Sequence, residues 1–313
     1  MLPSEIKFEF MRGHRYTVGY GRVFGCIMLG LWSGFFIGLQ TELLTSNQFA
    51  QPKVLARACN FDAATNIIKG LALGYWTSIL PITFLTITLC VTLYWAEVYG
   101  LALAALGMLG CLPVYLTILF FSTTIQTAKS LVQISKTGPE IFEVIDQLND
   151  AGVTTTVWGK SISNGIALLV SVSLFGAYTH RVSELSIDAT VPNILSPFTF
   201  AGLLFGAMIP YAFCAIVMTS INSVAENVIA DIKEQIPKIK ENKTADHKTF
   251  IENLTSISLK LVILPAAIVI LSPIIWGVLL GFRFVSGMIA GSIISGIQIG
   301  IANSNSGGAW CTT

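Results

Sequence analysis

Long stretches without a charged residue, separated by shorter polar segments, dominate this 313-residue chain. Charged residues are absent from residues 23–41, 70–96, 98–128, 161–179, 189–225, 261–282 and 284–313. Each stretch can supply the roughly 20 apolar residues that a helix needs to cross a bilayer. The strands of membrane barrels are shorter and alternate apolar with polar residues, which these stretches do not. The pattern therefore predicts an all-α bundle of about seven transmembrane helices.

The boundaries of the seven spans follow from the same pattern. The spans are predicted at residues 23–43, 67–95, 99–128, 156–179, 197–225, 259–281 and 284–304. They follow an N-terminal flank, residues 1–22, whose scattered charges do not resemble a secretory signal. Polar connections are predicted at residues 129–155 and 226–258, which share one face if there are seven spans. Because these connections hold most of the lysines, the positive-inside rule places that face in the cytoplasm, and residues 23–313 form one multi-pass membrane domain.

Composition supports the bilayer as the environment and excludes several other functions. The chain is 53% hydrophobic and only 11% charged, which is far more apolar than a soluble domain. Its net charge of +1 gives no reason to expect a nucleic-acid partner. The six cysteines lie mostly inside predicted spans and form no C-x-x-C pair, so we infer neither a disulfide framework nor a metal site from them.

The last predicted span has two features of its own. Gly287, Gly291 and Gly296 form a small-residue face, a pattern that favours close helix packing. The glycine-rich residues 304–310 (SNSGGAW) come at the end of this span. Irregular backbone is tolerated at membrane depth only where it lines a cavity or is buried in protein, so these residues predict a polar cavity.

Four blocks of sequence, in the same order, resemble the C-terminal half of the membrane-integral inorganic pyrophosphatases. They are residues 63–75 (AATNIIKGLALGY), 99–109 (YG, then AALGML), 202–211 (GLLFGAMIPY) and 286–310. The resemblance covers nearly the whole chain from about residue 19. It implies a homodimer that hydrolyses pyrophosphate at a cytoplasmic, magnesium-loaded site and moves a proton, or sodium in some members, across an endomembrane, vacuolar or organellar membrane. By resemblance the chain corresponds to about the ninth through fifteenth of roughly sixteen helices, so it is expected to be truncated.

The family binds magnesium and pyrophosphate through three acidic motifs, and the first is changed most in this chain. The motif D-x-Y-G-P-I-x-D-N-A-G-G aligns with residues 119–130. Leu119 and Gln126 replace its two aspartates, and Thr127 replaces its asparagine. By this alignment the first motif supplies no metal ligand.

The second motif is half retained. The motif T-D-x-L-D-A-x-G-N-T-T-A-A-I-G-K-G aligns with residues 145–161, where Asp146 and Lys160 stand at its first aspartate and its lysine. Asn149 replaces the second aspartate, and Val153 replaces the asparagine. Asp146 and Lys160 are therefore candidate remnants of a pyrophosphate site.

The third motif, G-G-A-W-D-N, loses its metal ligand. Asn305 and the sequence GGAW are present, but Cys311 replaces the aspartate, and a thiol is a soft ligand that suits Mg²⁺ poorly. Asn305 is the third candidate remnant. Hydrolysis of pyrophosphate requires hard Mg²⁺ ions held by carboxylates, so Mg²⁺ is an expected cofactor only if the chain is active.

Three functional hypotheses remain open from the sequence, and they leave open whether the chain is an enzyme. The first is a proton-pumping pyrophosphatase in which this chain is one part, completed by another polypeptide. The second is a non-catalytic membrane subunit or pseudoenzyme that docks into a larger membrane complex, with most magnesium ligands replaced. The third is a transporter of another anion that uses Lys129 and Lys160 as counter-charges.

Overall fold

Helices make up almost all of the described chain. The computed structural model describes residues 5–10, 14–46, 50–59, 61–135, 138–185, 193–240 and 247–312. The helices are α1 (Tyr20–Thr45), α2 (Ala50–Cys59), α3 (Ala63–Leu109), α4 (Leu112–Ser135), α5 (Pro139–Leu185), α6 (Pro197–Lys240) and α7 (His247–Thr312). An antiparallel hairpin of β1 (Glu5–Phe10) and β2 (His14–Gly19) precedes α1, in a flank for which the sequence predicts no element.

Five helical stretches among the described residues are long and apolar enough to cross a membrane. They are Tyr20–Thr45, Ala63–Ser135, Pro139–Glu184, Pro197–Lys233 and Ile251–Cys311. The prediction of a helical, multi-pass membrane bundle is confirmed, although the predicted number of seven spans is higher than five. The numbers differ because the second and fifth stretches each contain two predicted spans, which a break in the backbone separates instead of a loop.

The chain doubles back at both breaks. In α3, Glu97 has a φ of 49°, and a Cβ placed on Gly100 would lie 2.6 Å from the carbonyl oxygen of Thr92. In α7, Gly281 has a φ of 79°, the left-handed region that glycine adopts without strain, and the rings of Trp276 and Phe284 have centroids 5.5 Å apart. Eight residues of straight helix would separate each pair by about 12 Å.

The first of two compact units comprises Met1–Ala189 and Ile297–Thr313. In it α1 packs against both parts of α3: the Gln40 amide donates to the carbonyl of Thr77 at 3.0 Å, and a Cβ on Gly30 would overlap the backbone of Ala104. These approaches bury one apolar core. Its fully buried members are Ile37, Leu85, Leu101, Ala104, Met108, Leu169 and Ile301.

Helix α5 lies next to α4 and to the end of α7 within the same unit. Gly152 approaches Ser122, and Gly159 leaves room for the ring of Tyr115. A Cβ on Gly308 would overlap Val157, so the end of α7 packs tightly on α5. These contacts position every residue that the sequence marks as a candidate site residue.

The second unit, Thr190–Gly296, is a helix pair built on backbone contact. A Cβ on Gly206 would overlap the backbone of Met288, and a Cβ on Gly291 would overlap the backbone of Leu203. Gly287 is packed in the same way against Thr199. The predicted packing role of this small-residue face is confirmed for Gly287 and Gly291.

Two segments differ from their expected conformation. The polar connection at residues 129–155 is largely helical, since α4 runs to Ser135 and α5 begins at Pro139. Residues 304–310 are expected to be irregular because of their glycines, but this expectation is wrong: α7 continues through them. Their glycines serve helix contact instead, because Gly308 allows α7 to approach Val157.

Candidate functional site

The positions of the first motif lie on α4 and carry no acid. Leu119 is half-buried, and Gln126 and Thr127 are exposed. The Thr127 hydroxyl donates to the carbonyl of Thr123 at 2.9 Å, a bond within its own helix. Neither the hydroxyl nor the amide replaces the charge of the two aspartates that the family motif places here.

Asp146 is paired with a lysine instead of being open to a metal. The Lys129 ammonium of α4 lies 2.5 Å from a carboxylate oxygen of Asp146 on α5. The two side chains are 26% and 43% exposed, so the pair lies near the surface of this unit. This partner neutralises the one aspartate that the second motif retains in register.

Lys160 lies apart from Asp146. Both residues belong to α5, and their separation of fourteen positions in sequence corresponds to about 21 Å along a helix. Lys160 is exposed, whereas Asn149 is buried and Val153 is half-buried. The structure therefore does not bring Asp146 and Lys160 together, nor does it place Lys129 and Lys160 around one anion.

Asn305 forms the most buried polar contact of the site. Its side-chain oxygen accepts a hydrogen bond of 2.9 Å from the hydroxyl of Ser161, and both residues are fully buried. The Asn305 amide nitrogen and the Ser304 hydroxyl, also buried, have no hydrogen-bond partner among the described residues. The contact joins α5 to α7 by neutral groups only.

The end of α7 is also tied to α3. The Trp310 indole nitrogen donates to the side-chain oxygen of Asn66 at 3.2 Å, and Gly70 leaves room for the indole ring. Cys311, which stands at the position of the missing aspartate, is exposed. The tryptophan that the resemblance identifies thus has a packing role here.

Sequence reasoning missed the partners of these residues. It did not identify Lys129 as the counter-ion of Asp146, Ser161 as the partner of Asn305, or Asn66 as the partner of Trp310. Ser161 and Asn66 are polar residues at or near the edges of apolar runs, a signal that such residues pair across helices. The signal does not say which residues pair.

Within the part of the chain that the structure describes, the candidate site residues do not fit a magnesium pyrophosphate site. No three His, Cys, Asp or Glu residues of the described ranges lie close enough together to hold a metal ion. Mg²⁺ requires carboxylate or other hard oxygen ligands. Asp146 already has a cationic partner, and the buried oxygen of Asn305 is occupied by Ser161.

The fold and these contacts define a multi-pass helical membrane protein. The model of the inorganic H+ pyrophosphatase family matches residues 6–312, so the chain belongs to this family. It is 31% identical over 293 residues to the K(+)-stimulated pyrophosphate-energized sodium pump of Thermotoga maritima, an alignment that covers 90% of this chain and 40% of the relative. It is 29% identical over 311 residues to the K(+)-insensitive pyrophosphate-energized proton pump of Caldanaerobacter subterraneus, covering 94% of this chain and 44% of the relative. The chain spans less than half the length of these relatives.

Proposed function

We propose that this chain is a non-catalytic membrane subunit of the pyrophosphatase family, which preserves helix packing and does not itself hydrolyse pyrophosphate. In this proposal it docks into a larger membrane assembly, either with a second copy or with another chain. The partner surface would be helical and apolar, as expected within a bilayer.

The neutral contact between Asn305 and Ser161 carries the proposal. Both side chains are fully buried, and they meet where the third family motif, on α7, lies against the end of the second, on α5. A multiply charged substrate with its magnesium ions requires charged groups there, because burying unpaired charge is costly. A buried, neutral contact between two helices is suited to packing and not to phosphate chemistry.

Phosphate release from magnesium pyrophosphate tests the proposal. The purified chain in detergent is expected to release no fluoride-sensitive phosphate above the blank, whereas the Thermotoga maritima relative provides the positive control. Lys160→Ala is expected to change nothing. Fluoride-sensitive release that disappears in Lys160→Ala would refute the proposal.

A second candidate function is a pump completed by another polypeptide. It is favoured by the family match over residues 6–312, since the relatives are named as pyrophosphate-energized pumps of sodium or protons. Purification in mild detergent, followed by identification of the accompanying chains, separates the two candidates. A partner that carries the acidic motifs and restores hydrolysis would establish the pump.

We also propose a membrane in which the chain resides. The prediction of an endomembrane, vacuolar or organellar location comes from the resemblance alone. The bacterial relatives support a plasma membrane instead. Fractionation of source cells, with the chain detected by an antibody, tests this choice.

A further inference from the structure

A groove of about 570 Å³ lies between α1, α2 and α3. Its lining residues include Gln40, Leu55, Lys69, Ala72, Trp76 and Leu80. We propose that this groove binds one anionic phospholipid, with an acyl chain along α3 and the headgroup phosphate at Lys69. The site is independent of pyrophosphate hydrolysis.

The dimensions of the groove suit one acyl chain. Along α3 it extends from Lys69 to Leu80, eleven helical steps that correspond to about 16 Å of helix. One leaflet of a bilayer contributes about half of a hydrocarbon core that is roughly 30 Å thick. The groove is therefore as long as the leaflet is deep, and its walls are almost entirely apolar.

The charge of the groove is confined to one end. Lys69 is its one charged lining residue, and Lys69 makes no ion pair with any described residue. The acids Glu42 and Asp62, which lie on the adjoining helix ends, are exposed and do not pair with it. The structure thus leaves a cation at the start of an apolar groove, which is the complement of an anionic lipid.

Helix α2 places that end of the groove at the level of the headgroups. Its Leu55 and Ala58 are buried, whereas Lys53 and Arg57 are exposed on its other face. Basic amphipathic helices of this kind lie in the interface and are attracted to anionic lipids. Arg57 therefore adds positive potential around the headgroup that Lys69 binds.

The orientation of α3 agrees with the lipid class. Because the chain doubles back at Glu97, the start of α3 and the end of α4, which carries Lys129, lie on the same side of the bilayer. That side is predicted to be cytoplasmic, and anionic lipids give the cytoplasmic leaflet its negative surface potential. At the deep end, the bond from Gln40 to the Thr77 carbonyl fixes α1 against α3 and keeps the groove walls in place.

Quenching of Trp76 by brominated lipids tests the proposal, because this indole lines the groove and is 73% exposed. The full chain is reconstituted with phosphatidylglycerol or phosphatidylcholine that carries dibrominated acyl chains. The Trp76→Phe variant gives the contribution of the other tryptophans. We expect the Trp76 signal to be half-quenched at about a fivefold lower mole fraction of phosphatidylglycerol, as expected for one lysine near an anionic lipid.

Three variants make the outcome specific. Lys69→Ala is expected to abolish the preference and leave quenching by phosphatidylcholine unchanged, whereas Ala72→Phe, which fills the groove, is expected to weaken quenching by both lipids. Lys260→Ala, an exposed lysine of the other unit, is expected to change neither. Equal quenching by the two lipids, a preference that survives Lys69→Ala, or absence of Trp76 quenching by both lipids would each overturn the proposal.

Discussion

Helices in two regions of this molecule are held together by different kinds of contact. The pair of α6 and the first part of α7 is held by glycines that bring backbone against backbone, as at Gly206 and Gly291. The helix ends of α4, α5 and α7, where the family motifs fall, meet through neutral side chains and one surface ion pair. The first region is thus held by backbone contacts, whereas the second is joined by polar side chains that are neutral apart from Lys129 and Asp146.

The contact between α5 and α7 does not depend on acidic side chains. Ser161 and Asn305 join α5 to α7 with no charge, and Gly308 lets the helices approach. A carboxylate at such a contact needs cations or metal to offset its desolvation. Neutral residues remove that requirement, so this contact needs no offsetting cation.

Introducing a charge at the centre of the site is expected to have the largest effect. Asn305→Asp would bury a carboxylate that has one hydroxyl partner, and an uncompensated buried charge costs about 3–5 kcal/mol. We expect the variant to lower the free energy of unfolding by that amount at pH 7. The loss should shrink as the pH falls, because the protonated carboxyl is neutral again.

The measurement is thermal unfolding of the purified chain in detergent across a pH series. Asn193→Asp, an exposed substitution in the turn before α6, serves as the isosteric control and should leave the unfolding temperature unchanged. If Asn305→Asp is as stable as the parent at pH 7, the site accommodates a buried charge, and its neutrality is no evidence against phosphate chemistry.

Filling the glycine contact of the second unit is expected to have the next largest effect. In Gly206→Val the added atoms would overlap the Met288 backbone, which cannot yield as a flexible side chain can. We expect a loss of about 3 kcal/mol, the upper end of typical overpacking costs. Thermal unfolding and the yield of monodisperse protein report the loss.

Gly296→Ala is the matched control for this substitution. Its added methyl would lie 3.5 Å from Pro210, an ordinary contact, and alanine also favours the helix. A Gly206→Val protein as stable as Gly296→Ala would show that the two helices do not depend on close approach.

The helices could be predicted from the sequence because their cause is local. Charge-free runs end at Glu97 and Arg283, and the backbone breaks lie at or close to these residues, at Ala96, Glu97 and Gly281. The sequence did not predict that the chain reverses direction within one or two residues at these breaks. The dihedral angles of so few residues leave no periodic signal in the sequence. The β-hairpin before α1 was also missed, although Ile6, Phe8 and Phe10 alternate with charged residues along β1, the pattern of a short strand.

The sequence predicts which residues belong to the candidate site, but it does not predict which of them contact each other. The motif alignment identifies which acids are replaced, but it gives no partner for those that remain. Ser161 and Asn305 are 144 residues apart, and their contact depends on how α5 and α7 pack. Lys129 and Asp146 pair across the α4–α5 connection, which hydrophobicity does not specify.

A smaller effect is expected from the hydrogen bond between Ser161 and Asn305. Ser161→Ala leaves the Asn305 amide with no partner among the described residues, and the expected loss is about 1 kcal/mol. A double-mutant cycle with Asn305→Ala isolates the coupling between the two side chains. A coupling energy of zero would mean that the bond adds nothing to the contact of α5 with α7.

The smallest effect is expected where the motif keeps its acid. Because Asp146 and Lys129 are 43% and 26% exposed, solvent screens their attraction, and Asp146→Asn should cost less than about 1 kcal/mol. The cost should fall further at high salt, since exposed ion pairs are screened over a few ångströms at 1 M. Asp150→Asn, on the next turn of α5, is the control, and thermal unfolding at low and high salt is the measurement. A loss of more than about 1 kcal/mol that high salt does not reduce would show that the Asp146 carboxylate makes a contact shielded from solvent. Helix packing at α4 and α5 would then depend on an acidic side chain of the motif, in contrast to the contact between Ser161 and Asn305.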